Sequence, residues 1–231
     1  MVERARLEPR AAGLTPVTDG WFVLNVADAP WWTNEALGAA CVLEGDEIAF
    51  PHVGVTLAVL QPGQPSGVHH RERNQEDFLV LAGECLLIVE GDERPLRAWD
   101  FVHCPPETEH IFVGAGDGPC AILMTGARNG WPENTGIVYT RSEAALRHGA
   151  GVETETTREE EAYRRFPRWR PGPPASWAGL PGGRGPAIRI AVCPSPPRPP
   201  PPPTSAPSCA RSPTRRATGS TRCPSGRSAP T

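Results

Sequence analysis

The sequence predicts an all-β protein, and three observations carry that expectation. Short apolar or alternating runs recur through residues 21–140: WFVLNV, VGVTLAVL, DFLVLAG, ECLLIVEG, HIFVGAG and CAILMTG. Each is bounded by Gly, Pro, Asp or Asn, the residues that punctuate strands. No helical pattern separates them, so closely spaced short strands should close into a sandwich or small barrel.

Residues 1–20 precede these runs as an N-terminal leader. They are charged and lack the apolar stretch of a secretory signal, and no run of about 18 apolar residues exists anywhere in the chain. The expected compartment is the cytoplasm. Strands are predicted at 21–26, 53–60, 77–83, 84–91, 110–116 and 120–126. The pair 77–83 and 84–91, split around Gly83 and Glu84, reads as a hairpin. Residues 21–140 thus form the β core.

Residues 141–181 read as a wrapping segment with two short helices. SEAALRH at 142–148 offers Ser142 as an N-cap and Gly149 just past the end. ETTREEEAYRRF at 155–166 places acids early and arginines late, which suits the helix dipole. Beyond residue 181 the chain becomes a Pro- and Arg-rich tail. From Cys193 to Thr231 it holds no Leu, Ile, Val, Met or aromatic residue, so it cannot bury enough apolar surface to offset its ordering entropy. Residues 182–231 are therefore expected to be disordered, with a polyproline II stretch near Pro199–Pro203.

Composition excludes several classes. All 26 acidic residues lie in residues 1–161, with 11 of the 23 arginines, so this part carries −15. An acidic folded region argues against a nucleic-acid partner. There is no lysine, and no CxxC pair among the seven cysteines. Cys41, Cys85, Cys104 and Cys120 sit in apolar runs and read as buried free thiols. Motifs for nucleophilic hydrolases, nucleoside triphosphatases and dinucleotide binding are missing.

The chemistry-bearing stretch is GVHHRERNQEDFLVLAGE, residues 67–84. Side chains alternate across a strand, so His70 shares a face with Glu72 and His69 with Arg71. An imidazole and a carboxylate make a donor pair, whereas a guanidinium has no lone pair to give. His70 is therefore favoured over His69, which reads as an outer or rim residue. Glu76 follows at the start of the next strand. His110 opens another strand, which would join the site if it pairs with the 67–72 segment.

These residues resemble the cupin superfamily of small antiparallel β-barrels. Its first motif runs G, five residues, H, x, H, three or four residues, E, six residues, G. Glu76 and Gly83 match the end of that motif. The three-residue spacing places the two histidine positions at His70 and Glu72; the four-residue spacing places them at His69 and Arg71, with Gly63 at the start. The first register avoids giving a ligand's place to arginine. In the second motif Pro105 and His110 hold their positions, while Trp99, Glu107 and Gly114 replace Gly, Gly and Asn. The resemblance covers residues 50–127.

It implies a cupin-type, jelly-roll-like barrel whose metal ligands would be His70, Glu72, Glu76 and His110. Two imidazoles and two carboxylates suit Mn²⁺, Fe²⁺, Ni²⁺ or Zn²⁺. It further implies a metalloenzyme acting on a small molecule inside the barrel, dioxygenase- or isomerase-like, with a non-catalytic ligand-binding module as the alternative. The family also implies a homodimer, with part of residues 21–60 crossing to a second subunit. No membrane partner is expected.

Overall fold

The computed structural model describes residues 1–45, 48–129 and 136–175. All belong to the first of two compact units, Met1–Ala187; the second, Ile188–Thr231, lies outside the described residues, as does the tail expected to be disordered.

The strands are β1 (Leu7–Pro9), β2 (Leu14–Pro16), β3 (Trp31–Asn34), β4 (Gly38–Val42), β5 (Val53–Leu60), β6 (His70–Arg71) and β7 (Glu76–Ala82). They continue with β8 (Glu84–Val89), β9 (Asp92–Arg97), β10 (Phe101–Cys104), β11 (His110–Ala115), β12 (Cys120–Ala127), β13 (Val138–Tyr139) and β14 (Arg170–Pro171). Two short helices complete the described chain, α1 (Glu143–Arg147) and α2 (Glu159–Ala162). The leader forms a small ribbon of its own, β1–β2. The remaining strands make a seven-stranded sheet, β10-β7-β12-β5-β4-β3-β14, and a five-stranded sheet, β13-β6-β11-β8-β9.

The core lies between these sheets. Leu60, Phe78, Val80 and Ile122 from the larger meet Cys85, Leu87 and Phe112 from the smaller, all buried. The all-β, jelly-roll-like expectation is borne out. Cys41, Cys85, Cys104 and Cys120 are buried free thiols, as their apolar setting suggests. No helix among the described residues is long and apolar enough to cross a membrane.

Several local expectations need correction. Residues 21–26 form no strand. Trp21 makes a single bridge to Arg4, and Asn25 then caps a 3-10 turn at Val26–Asp28 by accepting from Ala27 N–H. Leu24 and Val26 instead pack beside Leu57 and Trp31 on one face of the large sheet, which accounts for their apolarity. Within residues 21–60 the strands are β3, β4 and β5, and they pair with one another in the same sheet, Ala40 opposite both Trp32 and Ala58.

The predicted hairpin around Gly83 is also absent. β7 pairs with β10 and β12, whereas β8 pairs with β9 and β11, so the chain changes sheets at Gly83. That corner requires glycine: φ is +73°, and a Cβ would stand 2.4 Å from the Pro119 carbonyl. The true hairpin partner, β9, is almost wholly exposed and polar, so it lacks a strand's apolar face.

Ser142 caps α1 as expected, accepting from Ala145 N–H at 3.3 Å. The second helix shrinks to Glu159–Ala162, because Thr156 exchanges two backbone hydrogen bonds with Tyr139 and cannot join it.

Candidate metal centre

β6 and β11 pair antiparallel with His70 directly opposite His110. Both rings enter the space between the sheets, their centroids 5.1 Å apart. His70 Nδ1 is 2.8 Å from the Val68 carbonyl and His110 Nδ1 is 3.0 Å from the Thr108 carbonyl. A carbonyl only accepts, so each Nδ1 carries the proton and donates it. Burial lowers both histidines' pKa, His70 to about 4 with His110 adding to the effect. Neutral rings protonated on Nδ1 present bare Nε2 lone pairs, the tautomer of a metal-ligating histidine with a fixed outer hydrogen bond.

Glu76 opens β7 across the cavity, its Oε2 3.5 Å from His110 Nε2. One ligand atom from each of His70, Glu76 and His110 can be chosen so that all lie within 4.8 Å of one another. Two lone pairs and a carboxylate facing each other repel unless a proton or cation lies between them. Burial, and secondarily Glu72, push Glu76 up to about 8, so without a cation the carboxyl holds its proton past neutrality. The donor set therefore fits a divalent ion.

Glu72 lines the same cavity on the face it shares with His70, its Oε1 3.8 Å from His70 Nε2. It is not part of the three-residue cluster, and burial alone raises its pKa. The structure thus brings His70, Glu76 and His110 together and sets Glu72 beside them.

His69 is not a rim residue: it is fully buried. The outer side of β6 is covered by residues 138–150, whose Thr140 hydroxyl meets His69 Nδ1 at 2.8 Å and whose Ala150 carbonyl accepts from His69 N–H. Its Nε2 has no hydrogen-bond partner. His103 is surface-facing, paired with Asp77 at 2.7 Å.

The cavity above the cluster has a volume of about 340 Å³, at the small end for ligand sites. Phe78, Phe112 and Met124 supply an apolar wall, while Asn74, Arg128 and Tyr163 contribute polar groups that sequence reasoning missed. The one available signal was Gly54 and Gly126, glycines inside strands, which often mark a close approach to backbone.

A two-sheet β fold with imidazole and carboxylate donors between its sheets defines a small-barrel protein with a candidate metal centre. Residues 56–126 match the family model described as the cupin domain, which supports the cupin superfamily for this segment. Among solved structures, a provisionally named sugar phosphate isomerase from Acidithiobacillus ferrooxidans is 29% identical, the match covering 41% of this chain and 61% of that one, with a TM-score of 0.37. This chain therefore spans less than two thirds of that relative. A sugar phosphate isomerase of the cupin superfamily from Silicibacter pomeroyi is 25% identical over 46% of this chain and 71% of that one, TM-score 0.36. The polyketide cyclase RemF from Streptomyces resistomycificus is 15% identical over 46% and 79%, TM-score 0.41. Comparison with curated proteins returns no match.

Proposed function

We propose that this cupin domain binds one divalent transition metal, Mn²⁺, Fe²⁺, Ni²⁺ or Zn²⁺, through His70, Glu76 and His110, with Glu72 as a fourth, weaker donor, and acts on a small molecule in the cavity. The observation that carries this reading is the 3.5 Å approach of His110 Nε2 to Glu76 Oε2, an imidazole lone pair and a carboxyl set face to face inside the protein. The ion would supply Lewis acidity to a bound oxygen atom. The chain's own part is to hold the donors. Val68 and Thr108 carbonyls fix both imidazoles, Phe78 and Phe112 exclude water from one side, and Glu72 can accept a proton at Oε1.

Chemistry of the dioxygenase or isomerase type suits such a centre. A non-catalytic ligand-binding module is the second reading, supported by the same cavity without requiring turnover. On sequence and family grounds the protein is a cytoplasmic homodimer, organised as a leader at 1–20, the barrel at 21–140, the wrapping segment at 141–181 and a tail at 182–231.

Elemental analysis of the purified protein tests the site. About one transition metal per chain is expected, and His110→Ala should retain less than about a tenth of it, since losing one of three protein ligands costs far more than an outer-shell change. A folded His110→Ala variant with full metal content would end this assignment. Turnover of candidate substrates by the loaded protein, including oxygen uptake, then separates an enzyme from a binder.

A further inference from the structure

Cys85 and Cys120 both belong to the core cluster between the sheets, the first 1% and the second 0% exposed. Cys85 is the second residue of β8 in the smaller sheet, and Cys120 the first of β12 in the larger. Packed sheets ordinarily stand about 10 Å apart, whereas a disulfide needs its Cα atoms within about 7 Å. At this end of the fold the sheets close up. A Cβ on Gly83 would stand 2.8 Å from Cys120 Cα and 3.1 Å from Cys120 Cβ. Gly114 is the partner of Cys85 across β8–β11, and Leu60 the partner of Cys120 across β5–β12. A Cβ on Gly114 would stand 3.1 Å from Leu60 Cβ. Gly63 N–H donates to the Gly114 carbonyl at 2.8 Å, and Gly114 N–H to the Gln64 carbonyl at 2.9 Å, which ties β11 to the turn after β5. Two glycines thus let the sheets meet where the two cysteines lie.

The thiols touch. They share a hydrogen bond, which pushes the Cys85 pKa up and pulls that of Cys120 down, so Cys85 S–H donates and Cys120 is the better nucleophile. Cys41 and Cys104 differ: burial above all raises each to about 12, as suits thiols that only pack. The pair also lies close to solvent along the chain. Glu84, next to Cys85, is exposed and Pro119, next to Cys120, is half-buried, so fraying of two strand ends suffices to admit a small oxidant.

We propose that Cys85 and Cys120 form a reversible redox pair, which hydrogen peroxide converts to a disulfide stitching the two sheets together. The Cys120 thiolate attacks a peroxide oxygen and breaks the O–O bond, giving a sulfenic acid, while the departing hydroxide takes up the thiol's proton. The Cys85 sulfur then displaces hydroxide from the Cys120 sulfur, and its own proton leaves with that group as water. Two thiols and one peroxide become one disulfide and two waters; the sulfurs lose two electrons and the peroxide gains them. Gly126, opposite Glu76, is six residues along β12 from Cys120, about 20 Å away, so the pair does not rest on the metal reading.

Full-length protein, with chelator present, is treated with hydrogen peroxide and its remaining thiols are alkylated in denaturant. Cleavage after arginine and glutamate puts Cys85, Cys104 and Cys120 on separate peptides, which mass spectrometry identifies. The Cys85 and Cys120 peptides are expected to disappear together and return as one cross-linked species that dithiothreitol parts, while Cys41 and Cys104 stay alkylated. Closing this loop should raise the thermal unfolding midpoint by about 5–10 °C, a rise reversed by dithiothreitol and absent from Cys85→Ala. The mapping uses the natural sequence, so it decides the matter even if that variant fails to fold. Recovery of either cysteine only as an alkylated thiol or a separate sulfinic acid overturns the proposal. So does a cross-link to any other cysteine in its place, or a Cys85–Cys120 cross-link that leaves the unfolding midpoint unraised.

Discussion

His110 stands directly opposite His70 across the β11–β6 pair, and each ring is tied to the carbonyl two residues before it in sequence, Thr108 and Val68. The same local device is thus used twice to turn an Nε2 toward the cavity. Glu76 completes the group from the opposite sheet, so the proposed centre joins the two sheets as well as holding an ion.

The two glutamates should differ as ligands. Glu76 belongs to the compact cluster, whereas Glu72 stands 3.8 Å from His70 Nε2 beside it. Glu76→Gln is expected to weaken metal binding at least about a hundredfold, and Glu72→Gln about tenfold or less, the lower end of what outer groups contribute. Competition against a calibrated chelator gives both constants. Equal losses would make Glu72 a full ligand, and a larger loss in Glu72→Gln would overturn the ranking.

Metal-free protein should lose stability as pH rises above about 6.5. Glu76 is raised from its ordinary carboxyl value to about 8, so its contribution is complete below about 4.5 and lost as pH rises through 8. His70 is depressed to about 4, so its contribution is complete above about 6.5 and lost as pH falls through 4. Between about 4.5 and 6.5 the two slopes oppose each other. From about 6.5 to 8 the slope of Glu76 is no longer opposed by His70, and with 1.36 kcal/mol per pKa unit the loss from this residue is about 2 kcal/mol, with Glu72, also raised by burial, acting in the same direction. A dication that displaces the Glu76 proton should abolish the slope and release about one proton below pH 8. Thermal unfolding from pH 5 to 8.5, with chelator and with metal, reads both; a flat chelated profile above pH 6.5 would contradict the assignment.

How much of this was legible in the sequence depends on how local each signal is. The pleat separated His70 from His69, and motif spacing picked out Glu76 and His110, because strand period and short spacings are local properties. The burial of His69 was not legible, since residues 138–150 cover it from far along the chain. Arg128 and Tyr163 reach the cavity from the end of β12 and from beyond α2, with no nearby motif to mark them. Gly83 reads as a turn in either case; only three-dimensional pairing shows that it changes sheets rather than closing a hairpin. β9 escaped because all its side chains but Leu96 are exposed, so no apolar alternation marks it.

Trp99 and Glu107 occupy the two glycine positions of the second cupin motif, and both adopt the left-handed conformation that favours glycine, with φ of +75° and +69°. An ordinary residue in the left-handed region carries roughly 1–2 kcal/mol of strain. Trp99 is 76% exposed, so removing its indole sacrifices little packing within the chain. Glycine gives back about 0.4–1 kcal/mol through a more flexible unfolded state. Trp99→Gly is therefore expected to stabilise the protein by up to about 1 kcal/mol. Glu107→Gly should gain less, because Glu107 also pairs with Arg71. Chemical denaturation with an unchanged m-value measures both. If Trp99→Gly instead destabilised the protein, and more so at higher protein concentration, the indole would be covered by a second copy of the chain and not by solvent.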